Sequence, residues 1–285
     1  RDQPRSRGLG DVYKRQDRQI GKQILVMLLI IITLFPIVFA IANSFKTSQD
    51  AFNNILSLIP AKPTMENYSY VAQRLPIFRI IANTFIIAGL VTLVKLLTSV
   101  LASYAFVYFD FKGKDLIYFT MLATMFIPFT VTMIPNYLII SNLGLTDNIF
   151  GVMLPQFADV LGIFLLRQAM RNIPISLIEA SKIDGAKDRT IMKDIVIPLV
   201  KPALISTGAM FFINSWNEFV WPVLILKSQE NYTLSLALQM FMSSEGGTDF
   251  PIAMAVSVIT MIIPLGLYLL LQKQIISTYV GSGMK

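Results

Sequence analysis

Eleven ionisable side chains crowd into residues 167–202, seven of them Lys or Arg and four the carboxylates Glu179, Asp184, Asp188 and Asp194. A second polar group, Asn214, Ser215, Asn217 and Glu218, interrupts an apolar stretch, with Trp216 within it and Trp221 after it. Lys95 and Asp159 stand alone in two further apolar stretches. None of these sets is suited to catalysis. The chain has no His and no Cys, which removes the commonest general base and metal ligand together with any thiolate. Gly21-Lys22 and Gly113-Lys114 lack both the preceding glycine and the following Ser or Thr of a phosphate loop. No catalytic residue, metal site or cofactor is therefore expected. The chemistry left is recognition: docking by the charged segment, and solute contact or helix packing by Asn214, Asn217, Glu218 and Trp221.

The elements that must position these residues are dictated by a lack of polar surface. Hydrophobic residues make up 54% of the 285 and charged residues 14%, against about 25% charged in a soluble domain. Six apolar stretches, 24–42, 80–104, 116–140, 149–166, 203–226 and 251–272, reach or approach the ~20 helical residues that cross a bilayer. The expected fold class is an all-α integral membrane protein with six transmembrane helices. The segments between spans carry 18 Lys and Arg on one side and five on the other, with Lys95 inside a span. The positive-inside rule places the richer side, and both termini, in the cytoplasm. Because the basic residues lie between spans and not on one soluble face, the net charge of +7 does not indicate nucleic acid. The first apolar run, ending in Ala40-Ile41-Ala42, is longer than the ~7–15 residues of a signal sequence and is expected to remain as a span. Residues 1–16 are polar and aperiodic and are set apart as a non-core tail. Residues 17–76 are assigned to an N-terminal segment, first span and external loop. A transmembrane domain follows over 77–272, then a cytoplasmic tail over 273–285.

Placing one ionisable group mid-bilayer costs about 2.5–3.5 kcal/mol, so residues 167–202 must lie outside. Leu177, Ile178, Ala180 and Ile183 nevertheless recur at helical spacing and predict one apolar stripe. Ser176 and Glu179 fit a capping box, and Asp184-Gly185 supplies a stop. Ile191, Met192 and Ile195 restart the pattern, delimited by Pro198 and Pro202. The expectation is a short helix, a turn and a second short helix, serving either as a docking device or as a loop folded back on its own bundle.

Glu179-Ala180-Ser181, three residues, Gly185, nine residues, Ile195, one residue, Ile197-Pro198 resembles the EAA loop of ABC importer permeases, with Ser181 and Ile197 departing from the usual Ala and Leu. Ile134-Pro135-Asn136-Tyr137, Phe164-Leu165-Leu166-Arg167 and Trp216-Asn217-Glu218-Phe219-Val220-Trp221-Pro222 are similar to the MalG-like branch of the maltose-type carbohydrate permease family. The resemblance implies a type I ABC importer permease fold in a bacterial inner membrane. It also implies a second permease subunit, a dimeric ATP-binding subunit that hydrolyses the ATP, and an extracytoplasmic solute-binding protein. By the same resemblance Glu179, Ala180, Ser181, Asp184, Gly185, Ala186, Ile195 and Pro198 are the residues expected to couple to the ATPase.

Asn214, Asn217, Glu218 and Trp221 share one face if the helix runs on through them. They then either line the solute path or hold helices together. Pairing or packing is the expectation for Lys95 and Asp159, and fixed helix shape for Pro128, Pro135 and Pro264. A secondary transporter is the chief rival function. It would need ion-coupling groups and often shows internal repeats, neither of which is visible, and it has no use for the EAA loop.

Overall fold

Apolar chain in lipid has no water to satisfy its amides, so it must close its own backbone hydrogen bonds, as a helix does. The computed structural model describes residues 7–242 and 250–283, with side chains described for 20–242 and 250–274, and among these residues all regular structure is helical. In chain order the helices are Arg7–Ser44 (α1), Ser48–Asn53 (α2), Glu66–Arg74 (α3), Ile77–Tyr108 (α4), Lys114–Ala123 (α5), Phe129–Asn142 (α6), Ile149–Met153 (α7), Val160–Arg171 (α8), Ile175–Ile183 (α9), Asp188–Thr190 (α10), Ile197–Leu199 (α11), Lys201–Asn217 (α12), Val220–Ile225 (α13), Leu234–Met242 (α14) and Phe250–Gly283 (α15). Three segments are long and apolar enough to cross in one piece, Ile20–Ser44, Ile77–Tyr108 and Phe250–Gln274. The described part of the 1–16 tail is helical, since α1 begins at Arg7; residues 1–6, 284 and 285 lie outside the described residues.

The other spans are broken, where the sequence pattern predicts continuous helices. Lys114–Phe126 and Phe129–Asn142 meet at 98°, and Ile149–Gln156 and Val160–Arg171 at 45°. The expected span over 203–226 is α12 followed by the separate short α13, and α12 meets the preceding Asp188–Leu199 at 78°. Proline explains most of these breaks, because it lacks an amide hydrogen and its ring crowds the carbonyl four residues earlier. Pro128 turns Ile127 to an extended ψ of 115° and starts α6. Pro222 stands four residues after Glu218, where ψ is 129° and α12 ends. Pro198 stands four residues after Asp194, inside the π-helical turn Ile191–Val196 that widens the helix between α10 and α11.

Each such proline also orphans a carbonyl, and three aromatic side chains donate to carbonyls placed in this way. Trp216 Nε1 donates to Thr260 O at 2.9 Å, four residues before Pro264. Trp221 Nε1 donates to Gly151 O at 3.2 Å, four before Pro155. Tyr108 Oη donates to Met170 O at 3.1 Å, four before Pro174, an oxygen shared with the Ile173 amide. Both tryptophans are buried, with Trp216 stacked on Phe212 and Trp221 edge-on to Phe129.

The chain divides into two compact units, Arg1–Tyr70 with Ser244–Val258, and Val71–Ser243 with Ile259–Lys285. In the larger, α4 packs on α8 and α12. Lipid tails are as apolar as Leu, so close approach and hydrogen bonds must hold helices together. Ser103 Oγ donates to Ile163 O at 2.8 Å, and a Cβ on Gly162 would lie 2.6 Å from Ser99 Oγ and against the Phe211 ring. Lys95 Nζ and Asp159 Oδ2 pair at 3.2 Å, while Asp159 Oδ1 accepts the Gly162 amide and caps α8. The lysine also lies over the Phe211 ring at 5.1 Å. In the smaller unit Lys46, one of the five basic residues between spans on the poorer side, is fully buried and donates to the carbonyls of Asn54, Ser57 and Ile55. Asn67 Nδ2 clamps the same turn by donating to Ser44 O and Lys46 O.

Asp147 ties together the loops beyond α6 and α13. It takes a left-handed φ of 55°, which Asp tolerates better than most residues. Its Oδ1 accepts the amides of Lys227 and Ser228, both at 2.9 Å, the Ser228 hydroxyl and the Asn231 amide. Partial burial pushes its pKa up. The Ser228 and Lys227 amides, with the Ser228 and Asn231 side chains, outweigh that and hold the carboxyl at about 2.

Two measurements test these contacts. Trp216→Phe removes the donor to Thr260 O, whereas in a Pro264→Ala background the new amide at 264 takes its place. A double-mutant cycle on thermal unfolding should therefore show a coupling of about 0.6–1.7 kcal/mol, the range for intramembrane hydrogen bonds. For Asp147 the folded pKa lies below the unfolded ~3.9, so its stabilisation is complete above pH ~3.9 and is lost as pH falls through about 2. Asp147→Asn should accelerate hydrogen exchange at the Lys227 and Ser228 amides at pH 7, and the difference from the unmutated protein should shrink as pH approaches 2.

Candidate coupling site

Pro174, with φ fixed at −58°, starts α9 directly, so Ile175 is its first residue and Ser176 already lies inside it. The expected capping box of Ser176 and Glu179 does not form: the cap position is Pro174, with no side-chain cap bond. Ser181 Oγ donates instead to Leu177 O at 2.8 Å within the same helix. The expected stop is present. Gly185 has φ +80°, its amide donates to Lys182 O, and the Ala186 amide donates to Ser181 O, the paired closure of a Schellman turn. Asp184 is the helix's last cap, its amide donating to Ala180 O. The chain leaves extended at Lys187 and re-enters helix at α10.

The expected apolar stripe divides in two. Ile178 is buried, whereas Leu177 and Ala180 are exposed and Ile183 is 86% exposed. Ile178 joins Val100 and Tyr104 of α4, Leu166 and Met170 of α8, and Ile191, Val196 and Val200 in one core cluster, with Ala186 and Ile195 packed against its edge. Tyr104 Oη donates to Asp188 O at 3.3 Å, joining α4 to the start of α10. The helix–turn–helix is thus seated on the ends of two membrane-crossing segments by one set of residues. Glu179, Ala180, Asp184 and Gly185 stay exposed on the other side, and Pro198 is exposed at α11. A Cβ on Gly185 would meet nothing within 4 Å, so this glycine answers to its backbone angle and not to a neighbour in the chain.

Sequence reasoning missed Tyr104 as part of this seat, because a tyrosine at the end of a span reads as an interfacial anchor. Asp147 was missed too; its signal was the Asp147-Asn148 pair, in which Asn148 Oδ1 accepts the Phe150 amide and caps α7.

The second candidate group does not share a face. The chain leaves helix at Glu218, so Trp221 belongs to α13, where it is buried, while Asn214 and Asn217 on α12 are exposed. Half-buried Glu218 spans the break, its Oε1 accepting the Trp221 amide at 3.2 Å. Beside α13, Met133, Ile134, Tyr137, Val223 and Leu224 line a cleft of about 290 Å³. Among the described residues no cluster of carboxylates could hold a metal ion.

Comparison with known proteins agrees with this architecture. Residues 95–278 match the profile of the binding-protein-dependent transport system inner membrane component. The chain is 30% identical over 278 residues to the sn-glycerol-3-phosphate transport system permease protein UgpE of Yersinia pestis bv. Antiqua (strain Antiqua), covering 95% of this chain and 99% of that protein. It is 30% identical over 265 residues to the UgpE of Escherichia coli O1:K1 / APEC, covering 90% and 94%. A chain of a bacterial ABC transporter that imports the acidic polysaccharide alginate superposes with a TM-score of 0.80 at 25% identity, covering 91% of this chain and 97% of that one. A second alginate transporter structure, in complex with a pentasaccharide-bound periplasmic protein, gives 0.65 at 16% identity over 93% and 96%, a likeness of fold alone. With its six-fold set of apolar segments and a profile match over most of its length, the chain belongs to the family of inner membrane components of binding-protein-dependent transport systems.

Proposed function

We propose that this protein is one of two permease subunits in a carbohydrate or sugar-phosphate importer, and that α9 with its Gly185 turn is the part that fits a cleft in an ATP-hydrolysing partner. The observation that carries this reading is the division of one small element into two faces. Ile178, Ile191 and Val196 anchor it, and the apolar Ile183 stands exposed beside Glu179 and Asp184. Ile175 and Leu177 are exposed along the same short helix, and several apolar side chains left open on an anchored base are suited to contact with another protein. The excess of Lys and Arg on this side supports a cytoplasmic position for the loop and both termini. Motion of an ATPase dimer would then reach α4 and α8 through the seat without passing through a flexible joint.

Cargo class rests on the relatives, one group named for sn-glycerol-3-phosphate and one for alginate. Both are polyhydroxylated and anionic, and a periplasmic binding protein would deliver such a solute. Asn214, Asn217 and Glu218 remain the residues of this chain suited to the solute path. Trp221, committed to Gly151 O, serves packing.

In the assembled importer, reconstituted in vesicles, Gly185→Val forces a β-branched residue toward positive φ. Stimulated ATP hydrolysis and uptake should fall at least tenfold while permease recovery stays near normal. Gly185→Asn, which accepts that conformation more readily, should retain most coupling, and so should Lys187→Val at an extended, exposed position. Full stimulation by Gly185→Val would remove the coupling assignment.

A further inference from the structure

A cleft of about 300 Å³ opens where α4 ends at Tyr108, α5 begins at Lys114 and α8 ends at Arg171. Three membrane-crossing segments leave the hydrocarbon there, which sets the cleft at the depth of lipid headgroups. Its charged lining is Lys114, Arg167 and Arg171 against the single carboxylate Asp115. Lys114 Nζ donates to Phe109 O at 2.7 Å and lies 3.5 Å from Asp110 Oδ1, whose side chain is fully exposed to water. Arg167 lies with its guanidinium carbon 3.9 Å from the centre of the Tyr118 ring, and its Nε is buried without a hydrogen-bond partner. A planar guanidinium with one face covered by an aromatic ring and an unmatched donor is suited to bidentate recognition of a phosphate.

The apolar surface beside the cleft identifies the source of that phosphate. No residue of α5 is buried in this chain, and Leu116 and Phe119 are each about two-thirds exposed on the turns that follow Lys114. Cations at the headgroup level, beside a helix that exposes Leu116, Ile117 and Phe119, match an anionic lipid at both its ends. We propose that this cleft binds the phosphate of an anionic glycerophospholipid, with Arg167 and Arg171 on its oxygens, Lys114 beside them, and the acyl chains along α5. Ile175 at the start of α9 also lines the cleft, but its charged residues all lie outside the Gly185 turn, so the site holds whether or not Gly185 couples to an ATPase.

The test is native mass spectrometry of the complete importer in detergent, titrated with phosphatidylglycerol, phosphatidylcholine or inorganic phosphate. Phosphatidylglycerol should be retained in preference to phosphatidylcholine. Lys114→Gln and Arg171→Gln should each lower its affinity about fivefold, and the double variant roughly 25-fold, as expected for one surface cation each. Lys114→Arg and the distant Lys227→Gln should bind as the unmutated complex does. Equal retention of the two lipids overturns the proposal, as does undiminished binding by the double variant. Displacement by inorganic phosphate at equal concentration would show a site for a free anion instead. Binding by the permeases alone but not by the full complex would show that an acidic segment of the ATPase occupies the cleft, which also overturns it.

Discussion

A backbone carbonyl left without a partner inside a bilayer costs several kcal/mol, and this structure depends on how such carbonyls are answered. The prolines at 155 and 264 each withdraw the amide that would have met one, and two indoles reach across from other helices to replace it. Before Pro174 the Met170 oxygen keeps the Ile173 amide and gains a phenol from α4. The same bonds join α8 to α4, α7 to α13, and α12 to the last helix. Bends that would weaken an isolated helix thereby become the points at which separate helices are fastened.

The pattern of breaks also explains how a bundle with apolar walls can hold a rigid polar appendage. Broken spans give many chain ends inside the membrane, and each end needs a cap. Asp159 caps α8 while paired with Lys95, and Glu218 accepts the Trp221 amide across its own break. Removing one partner of a partly buried pair leaves an uncompensated charge, a larger loss than the pair's net contribution. At the α9 end the seat is apolar instead, built on Ile178, Leu166 and Met170, with Tyr104 as its polar link. Lipid-facing helices, capped breaks and an apolar seat thus make one continuous support beneath an exposed turn.

Much of this was legible in the sequence. Six apolar stretches, the helix–turn–helix over residues 175–199 and the glycine stop at 185 follow from hydropathy, periodicity and the conformational freedom of one residue. The continuity of the spans did not, because apolar length is blind to whether an interior proline bends a helix or ends it. Pro264 lies within an unbroken α15, while Pro128 accompanies a 98° turn. The capping box failed because Pro174 takes the cap position before Ser176 can. Asn214, Asn217, Glu218 and Trp221 were grouped by a periodicity that ends when Pro222 breaks the helix at Glu218. Lys46 lies between spans as the sequence predicts, but its burial is not legible there, because three carbonyls converging on one ammonium leave no trace in a linear pattern.

The bond between Trp216 and Thr260 has a consequence for biosynthesis. A ribosome delivers the donor some forty residues before the acceptor, so α12 enters the bilayer carrying an indole N–H with nothing in the last helix to receive it. Thr260 then arrives with its oxygen unanswered by Pro264. The donor is thus in place before its acceptor is made, and the contact between α12 and α15 can close only after the segment around Thr260 has entered the bilayer beside α12.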